Sequence, residues 1–347
     1  MAAIHREKRV NLALQGGGAH GAFTWGALDR LLEEERLDFD GISGTSAGAM
    51  NAAMLKTGWM TGGHAGARAQ LDRFWGEIRA RAQRQANPWT QMAGWFWRDT
   101  PWAAAALSQN PLSMMQQALS RHFSPYEWNP LNLNPLRDLL VEMTDFDEVC
   151  RASPPTLFIC ATNVRTGKIR VFSGQDISVD AILASAALPQ LFQAVQIGDD
   201  HFWDGGFMGN PPLYPLFYGT DARDVVIIHV NPIERPGLPR TAAEIENRVN
   251  EISFNSSLMR ELRAIAFVKR LIADGRLAPG EMRDVLIHSI RDDETMAGLD
   301  AGSKLAPEPR LFDELKAHGR RAADAFLRAH WGSLGREGTV DLHALMD

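Results

Sequence analysis

The spacing of apolar residues predicts two strand–turn–helix units at the start of the chain. Residues 10–14 (VNLAL) are a short apolar run, a glycine-rich loop follows at 16–21, and apolar residues then recur at helical spacing. The second unit has a partly apolar run at 39–43, a turn at 44–48 and a predicted helix at 49–55. Connections this short favour neighbouring parallel strands of one sheet, joined by right-handed crossovers.

Similar patterns return later, so the sheet is predicted to draw on most of the chain. Strand-like runs lie at 156–164, 168–173, 225–231 and 285–290. Helical patterns lie at 179–187, 241–274 and 311–331. Strands alternating with helices are typical of an α/β fold. Within a single α/β domain over 1–347, residues 240–347 are predicted to form a C-terminal helical extension with one strand.

Residues 57–130 differ in composition from the rest of the chain. They hold seven of the ten tryptophans, several methionines and repeated prolines. We interpret this Trp- and Met-rich segment as a helical insertion or lid. Its aromatic residues fit either a lid packed on the sheet or a contact with a bilayer interface, where amphipathic rings are favoured. These aromatic residues are Trp89, Trp95, Phe96, Trp97 and Trp102.

Composition and charge narrow the class of protein. The 347 residues are 45% hydrophobic and 22% charged, as expected of a chain that folds around a core. The net charge of -6 provides no overall positive field, which disfavours a nucleic-acid partner. The two cysteines, Cys150 and Cys160, are too few for a disulfide framework and lack zinc-ligand spacing. Cys160 is predicted to lie in a buried strand.

The N-terminus predicts a cytoplasmic protein. Residues 5–9 are mostly charged and lead directly into the first strand, without the apolar segment of a secretory signal. The longest charge-free stretch, 100–120, is interrupted by Pro, Gln and Asn, whose polar groups are costly in hydrocarbon. We therefore expect no transmembrane span, and the Arg and Lys residues between 260 and 270 are interpreted as a solvated helix face.

Ser46 lies in the turn of the second unit, in the sequence Gly44-Thr45-Ser46-Ala47-Gly48. Small residues two positions before and after a serine let the backbone bend sharply and project the hydroxyl from the end of the sheet. The pentapeptide alone is a weak signal, because a glycine-rich turn in which the serine only caps a helix has the same sequence pattern. Its position between a strand and a helix is what indicates a nucleophilic serine.

The glycine-rich loop at 16–21 has two interpretations. It matches G-x-G-x-x-G, which binds a dinucleotide when it follows a strand, and Asp38 or Asp40 lies near the position of the ribose ligand. Alternatively, its backbone amides at a helix N-terminus stabilise the oxyanion of a tetrahedral intermediate. We favour the second interpretation, because the next strand leads directly into the Ser46 turn and the two loops then form one site.

A serine hydroxyl needs a base to accept its proton, and Asp204 is the candidate. In Phe-Trp-Asp-Gly-Gly, a short aromatic strand delivers the carboxylate and two glycines leave space around it. An Asp-Gly hairpin turn is the alternative. His20, His201 and His229 lie in the glycine loop or near strand ends, without a recognisable triad context. As a base, Asp204 requires a partly desolvated setting.

Three ordered motifs resemble those of the patatin-like phospholipase family. They span residues 10–212 and are Gly16-Gly17-Gly18-Ala19-His20-Gly21, Gly44-Thr45-Ser46-Ala47-Gly48 and Asp204-Gly205-Gly206. The resemblance implies a three-layer α/β/α fold with a mostly parallel central sheet, and hydrolysis of lipid acyl esters by a Ser-Asp dyad without metal or cofactor. It implies Ser46 as nucleophile, Asp204 as base and Gly16, Gly17 and Gly18 as the oxyanion loop. The residues that support the motifs are then Gly44, Gly48, Gly205 and Gly206.

The resemblance predicts a serine acyl-ester hydrolase of the phospholipase A or lysophospholipase type, with peripheral membrane contact as a further expectation. His20 stands where the family usually has Arg or Lys, so we expect weaker anion binding and a pH-dependent contribution from its imidazole. Three alternatives stay open: an oxidoreductase that binds NAD(P), a non-catalytic lipid-binding regulator, and an α/β-hydrolase that depends on a histidine.

Overall fold

A mixed β-sheet runs through the chain. The computed structural model describes residues 8–85, 124–151, 153–278, 280–299, 301–305 and 308–345. Within these residues the sheet has eight strands. They are β1 Lys8–Leu14, β2 Leu37–Gly44, β3 Thr156–Asn163, β4 Ile169–Ser173, β5 Val195–Ile197, β6 Asp200–Asp204, β7 Asp224–Ile228 and β8 Leu286–Ile290.

The centre of the sheet is parallel and one side of it is antiparallel. The strand order is β5-β6-β3-β2-β1-β7-β8, and β4 also pairs with β3. The pairings β1–β2, β1–β7, β2–β3 and β7–β8 are parallel. The pairings β3–β4, β3–β6 and β5–β6 are antiparallel. The mostly parallel sheet predicted from the resemblance is therefore confirmed.

Helices lie between and after the strands. They are α1 Gly21–Leu31, α2 Ala47–Gln85, α3 Pro125–Trp128, α4 Pro135–Met143, α5 Phe146–Val149, α6 Val179–Ser185, α7 Tyr214–Gly219, α8 Ala242–Ala273, α9 Asp293–Ala297, α10 Ala301–Leu305 and α11 Pro309–His330. Short 3₁₀ turns lie at Gly18–His20, Gly174–Asp176 and Gly205–Phe207. The long helix α8 begins with a capping box, in which Thr241 and Glu244 satisfy each other's backbone amides.

Both faces of the sheet are buried, because successive side chains of a strand point to opposite faces. Leu12 and Leu14 of β1 join the core cluster formed with α1, α2 and α11. Ala13 joins a second cluster, formed with Leu216 of α7 and Leu258 of α8. Helices thus cover the sheet on two sides, which confirms the three-layer α/β/α architecture. Apolar runs without polar alternation are what a doubly covered parallel strand requires.

The C-terminal helix α11 packs directly on α1, far from it in sequence. A side chain at Gly26 would overlap the backbone of Lys316, and one at Gly319 would overlap the carbonyl oxygen of Phe23. These two glycines allow the helix backbones to touch. Residues after 240 thereby contribute to the same core as the N-terminal unit, while their description as a separate extension of one domain stays a prediction.

The predicted strands and long helices agree with the observed ones except in two respects. The sequence patterns did not predict β5, a strand of only three residues, or the short helices α4, α5, α7, α9 and α10. The predicted helix at 49–55 is the first part of the much longer α2, which bends at Gly62 and Gly63. Residues 57–85 thus belong to α2 and 125–128 form α3, whereas Trp89, Trp95, Phe96, Trp97 and Trp102 lie outside the described residues.

None of the described helices is both long enough and apolar enough to cross a bilayer. Among the same residues, no cluster of three or more His, Cys, Asp or Glu side chains is arranged to hold a metal ion. Cys160 is buried in β3, as predicted.

Candidate active site

Three chain segments meet at one edge of the sheet. The glycine loop follows β1, the Ser46 turn follows β2, and Asp204 ends β6. The first two are in contact, since a side chain at Gly16 would lie 2.7 Å from Cβ of Ser46. The segment after Asp204 contacts the Ser46 turn, because the hydroxyl of Thr45 donates to the carbonyl of Gly209 at 2.6 Å. The fold therefore brings together residues that are more than 150 positions apart.

The turn at Ser46 is strained and tightly packed. Ser46 has a φ of 54°, in the left-handed region that a residue with a Cβ rarely adopts. Its amide donates to Oγ of Ser185 in α6 at 2.9 Å. A side chain at Gly48 would overlap the carbonyl oxygen of Leu14, and one at Gly44 would meet the backbone of Gly48. The two glycines are thus required for the sharp bend that presents the Ser46 hydroxyl.

Asp204 is buried and only partly hydrogen-bonded. Its side chain caps a 3₁₀ turn, with Oδ1 accepting from the amide of Gly206 at 2.7 Å. Oδ2 has no hydrogen-bond partner among the described residues. Burial raises the pKa of Asp204 to about 7, and the Gly206 amide and the nearby Ser46 hydroxyl oppose part of that rise. The carboxyl group therefore keeps its proton to a higher pH than an exposed aspartic acid does, and it lies near a hydroxyl group.

The setting of Asp204 agrees with the predicted strand rather than with a hairpin turn. β6 delivers Asp204 next to β3, where Ala161 is its register partner. A side chain at Gly205 would overlap the backbone of Cys160, and one at Gly206 would overlap the ring of Phe254. Both glycines after Asp204 are thus needed for close packing. The desolvation expected of a base is provided by this packing.

In the glycine loop, some backbone groups are hydrogen-bonded and others are not. The amide of Gly16 donates to Oδ1 of Asn210 at 2.7 Å, and the carbonyl of Gly16 accepts from Nδ2 of Asn231 at 2.9 Å. No acceptor within the described part of the chain receives the amides of Gly17 and Gly18. Gly18 has a φ of 57°, which favours glycine. Two unpaired amides thus lie just ahead of α1, where the helix dipole adds to their positive potential.

His20 lies on the other side of this loop and is neutral. Its Nε2 is 2.8 Å from Oγ of Ser303 in α10, and its ring is buried. Burial and the charge of Lys304 lower the pKa of His20 to about 3. A pKa this low leaves the imidazole uncharged near neutral pH, which does not favour the expected pH-dependent contribution of His20.

The other histidines are not brought to Ser46 by any described contact. His201 lies on β6 and is exposed. His229 is buried directly after β7, and burial together with Arg291 lowers its pKa to about 3. Neither residue has a hydrogen bond to the Ser46 turn within the described residues. The arrangement does not favour a histidine-dependent hydrolase.

The dinucleotide interpretation also fails on geometry. A side chain at Gly18 would meet the backbone of Lys304 at 2.5 Å, so α10 lies directly against the loop. The carboxylate of Asp40 accepts from the amides of Asp221 and Ala222, just before β7 begins. Asp40 is thus engaged at the opposite end of the parallel strands from the glycine loop. Asp38, the other candidate, pairs in register with Arg9 near the start of β1, so neither carboxylate lies at the end of β2, where this interpretation requires the ribose ligand.

Sequence reasoning missed the polar residues that support the two loops. Gln15 accepts from the amides of Val230 and Asn231 and donates to Asn255 at 3.0 Å. Lys304 donates to Oδ1 of Asn231 at 2.8 Å, and burial is the main reason that its pKa falls to about 8. A polar residue at the end of an apolar strand, as at Gln15, was the one available signal for this network.

The comparisons with known proteins place the chain in a family. The model of the family described as patatin-like phospholipase matches residues 12–217. A search of curated protein sequences finds no match. Among solved structures, VipD from Legionella pneumophila is similar at 14% identity with a TM-score of 0.43, over 93% of this chain and 67% of VipD. The family model covers more than half of the residues. The chain belongs to the patatin-like phospholipase family.

Proposed function

We propose that this protein is a serine acyl-ester hydrolase of the phospholipase A or lysophospholipase type, with Ser46 as nucleophile and Asp204 as base. Family membership supports hydrolysis of lipid acyl esters in general. The finer proposal is carried by one observation: the buried carboxyl of Asp204 has an unbonded oxygen and faces the hydroxyl of Ser46. That hydroxyl lies on a strained turn beside two unpaired amides.

In the first step, Oγ of Ser46 attacks the ester carbonyl carbon and its proton passes to Oδ2 of Asp204. The electron pair of the carbonyl moves to oxygen, and the amides of Gly17 and Gly18 donate to the resulting oxyanion. Because the amide of Gly16 is already bonded to Asn210, Gly16 positions the loop and is not one of the donors. The tetrahedral intermediate then expels the alcohol, which takes the proton from Asp204 and leaves acyl-Ser46.

In the second step, water attacks the acyl carbon and gives a proton to Asp204. The bond between the acyl carbon and Oγ breaks, the proton returns to Ser46, and the fatty acid leaves. The same carboxylate therefore serves as base and then as acid in both halves of the reaction. A pKa of about 7 suits this exchange, since a group that titrates near the working pH transfers protons in both directions.

Labelling with a fluorophosphonate probe, followed by peptide mapping, tests the nucleophile. We expect the probe on Ser46 and no labelling of the Ser46→Ala variant. Both Ser46→Ala and Asp204→Asn should reduce ester hydrolysis by roughly 10³-fold or more, because the two residues act as a unit. Ser253→Ala and Asp176→Asn are matched controls at exposed positions. Substantial hydrolysis by either dyad variant contradicts the assignment.

The pH dependence tests the base independently. The ionised form of Asp204 is the active one, so kcat/KM should fall about tenfold per pH unit below a midpoint near 7. The same shift affects stability. The neutral carboxyl is favoured in the fold, so its stabilising contribution is present below pH 4 and is lost as pH rises through about 7. At pH 8, the free energy of unfolding of Asp204→Asn should therefore exceed that of the unmodified protein by roughly 2–4 kcal/mol. Urea denaturation measures this difference.

A further inference from the structure

The outward side of α8 carries a continuous line of side chains, here called the outer ridge. Its members are three or four positions apart, which keeps them on one face of a helix. They are Ile245, Val249, Ile252, Ser256, Arg260, Arg263, Phe267 and Arg270. With a rise of 1.5 Å per residue, the ridge is about 37 Å long. Buried residues of α8, such as Leu258 and Leu262, lie on its opposite side.

The outer ridge combines exposed apolar groups with unpaired cations. Its four large apolar side chains are about half exposed: Ile245 47%, Val249 58%, Ile252 54% and Phe267 52%. Arg260 and Arg263 are exposed, and neither has an ion pair or a hydrogen bond with another described residue. The guanidinium of Arg270 lies 5.5 Å from the ring centre of Phe267. Apolar groups of this size on a solvent-facing helix have no role in the core.

Most of the negative charge of α8 lies off the ridge. Of its four acidic residues, Glu246 lies beside the N-terminal end of the ridge, three positions before Val249, and the other three lie on other sides of the helix. Glu244 caps the start of α8, and Glu251 pairs with Arg235 at 2.7 Å. Glu261 accepts from the amides of two residues at the start of α7 and is partly buried. The ridge is therefore positive on a chain whose net charge is -6.

The inner side of the same helix forms a wall of the candidate site. The ring of Phe254 lies 5.8 Å from that of Phe207, three residues after Asp204. Asn255 bonds to Gln15 at 3.0 Å, and Oγ of Ser257 accepts from the amide of Asn210 at 3.2 Å. A helix is about 10 Å wide, so a surface touching the ridge is about one helix diameter from the site wall.

We propose that the outer ridge docks the protein on the surface of a phospholipid bilayer that contains anionic lipid. Its apolar side chains enter the boundary between headgroups and acyl chains, and its arginines bind lipid phosphates. A wholly apolar face would suit a second protein, and a wholly basic one would suit a soluble anion, whereas this combination matches an interface that is apolar below and negative above. The choice of a bilayer over an acidic protein rests on the proposed function, because the site behind the helix then lies next to its substrate.

Vesicle co-sedimentation tests the proposal in the Ser46→Ala background, so that lipid is not consumed and the result does not depend on catalysis. The probes are vesicles of phosphatidylcholine with and without phosphatidylglycerol. We expect binding to the anionic vesicles that weakens as salt rises. Arg260→Glu with Arg263→Glu, and separately Val249→Asp with Ile252→Asp, should each weaken binding by roughly tenfold or more.

Matched controls lie on other parts of the molecule. Arg310→Glu with Arg321→Glu reverses two exposed arginines on α11, and Leu131→Asp places a charge at another exposed apolar residue. These variants should bind the vesicles like the Ser46→Ala parent. Thermal unfolding midpoints within a few degrees of the parent establish that the ridge variants are folded.

Three outcomes would overturn the proposal. The first is equal binding by folded ridge variants and their parent. The second is no binding of the parent to anionic vesicles. The third is a concentration-dependent dimer that the ridge substitutions abolish without vesicle binding, which would assign the ridge to a second copy of the chain. If fluorophosphonate labelling of Ser46 fails while vesicle binding follows the ridge, the docking surface stands and the proposed function falls.

Discussion

The Ser46 turn and the glycine loop both join a parallel strand to a helix, but they are held in place by different means. Around Ser46, the constraint is backbone against backbone: Gly44 and Gly48 leave no space for a side chain. The glycine loop is also tightly packed at Gly18, but its position depends in addition on hydrogen bonds from Asn210 and Asn231 to the amide and the carbonyl of Gly16. The Ser46 turn therefore depends on the absence of side chains at two glycines, whereas the glycine loop also depends on side chains about 200 positions later in the chain.

This difference has a consequence for function. A turn enforced by packing is rigid whenever β1, β2 and α2 are folded, so the position of the Ser46 hydroxyl is tied to the stability of the core. A loop held by buried hydrogen bonds is shifted by changes that leave the core intact. Substitutions near Ser46 should therefore act on folding, and substitutions around the glycine loop should act on the rate of catalysis.

The largest expected effect is that of Gly48→Ala. The added methyl group overlaps the carbonyl oxygen of Leu14, which is fixed in the central strand β1. We expect a loss of roughly 3 kcal/mol or more in the free energy of unfolding, as for other overpacked sites. Urea denaturation measures it. Gly76→Ala is the matched control, because a side chain there meets nothing within 4 Å. Equal stability of the two variants would remove the packing account of the Ser46 turn.

The next largest expected effect is a difference in kcat between the variants Asn210→Ala and Ser185→Ala. Asn210→Ala leaves the buried amide of Gly16 unpaired, and we expect kcat to fall roughly 10²-fold because the oxyanion donors move. Ser185→Ala removes the bond to the amide of Ser46, but the glycine packing still holds that turn, so the loss should stay below about tenfold. Steady-state kinetics on a soluble ester compares them. The reverse order would contradict the division between packed and bonded turns.

A smaller effect is expected for Lys304→Met. Lys304 holds Asn231, which in turn donates to the carbonyl of Gly16. We expect a loss of roughly tenfold in kcat with little change in KM, because the oxyanion donors of the glycine loop move, as in Asn210→Ala. Burial, with Arg235 adding to it and Glu251 opposing it, lowers the pKa of Lys304 to about 8. Activity of the unmodified protein should therefore decline above pH 8, and the variant should lack this alkaline decline.

Lys269→Met is the matched control for that experiment. Lys269 also bonds to polar partners through its ammonium group, with Oδ1 of Asp284 at 2.6 Å, but at a distance from the glycine loop in the sequence and in the hydrogen-bond network. Its substitution should leave the alkaline limb of the pH profile in place. A common shape for both profiles would assign the alkaline limb to another group.

The smallest effect is expected for His20→Gln. His20 is neutral near pH 7, and Gln keeps a polar group that reaches Ser303. The pH profile of ester hydrolysis should be unchanged, with a change in rate below about threefold at every pH. Hydrolysis rates between pH 5 and 9 measure this. A shifted acidic limb would show that His20 titrates in the working range and would restore its expected modulating role.

The sequence determined the parts of the protein that depend on local pattern. Apolar runs and glycine turns predicted the parallel strands, the strand–turn–helix units and the three motifs, because side-chain period and backbone freedom are properties of neighbouring residues. It also predicted Ser46 and Asp204 as partners through the resemblance. Their proximity, and the burial that raises the pKa of Asp204, are visible in the fold.

Only the tertiary structure decided which groups support and modify the site. Asn210, Asn231 and Lys304 lie in segments without a motif, and the amide of Gly16 is indistinguishable in sequence from those of Gly17 and Gly18 until its partner is known. The outer ridge was interpreted from its arginines as a solvated helix face, since sequence alone does not state which side of α8 meets the core. Hydrogen-bond partners and pKa values arise from distances between residues remote along the chain, and these distances exist only after folding.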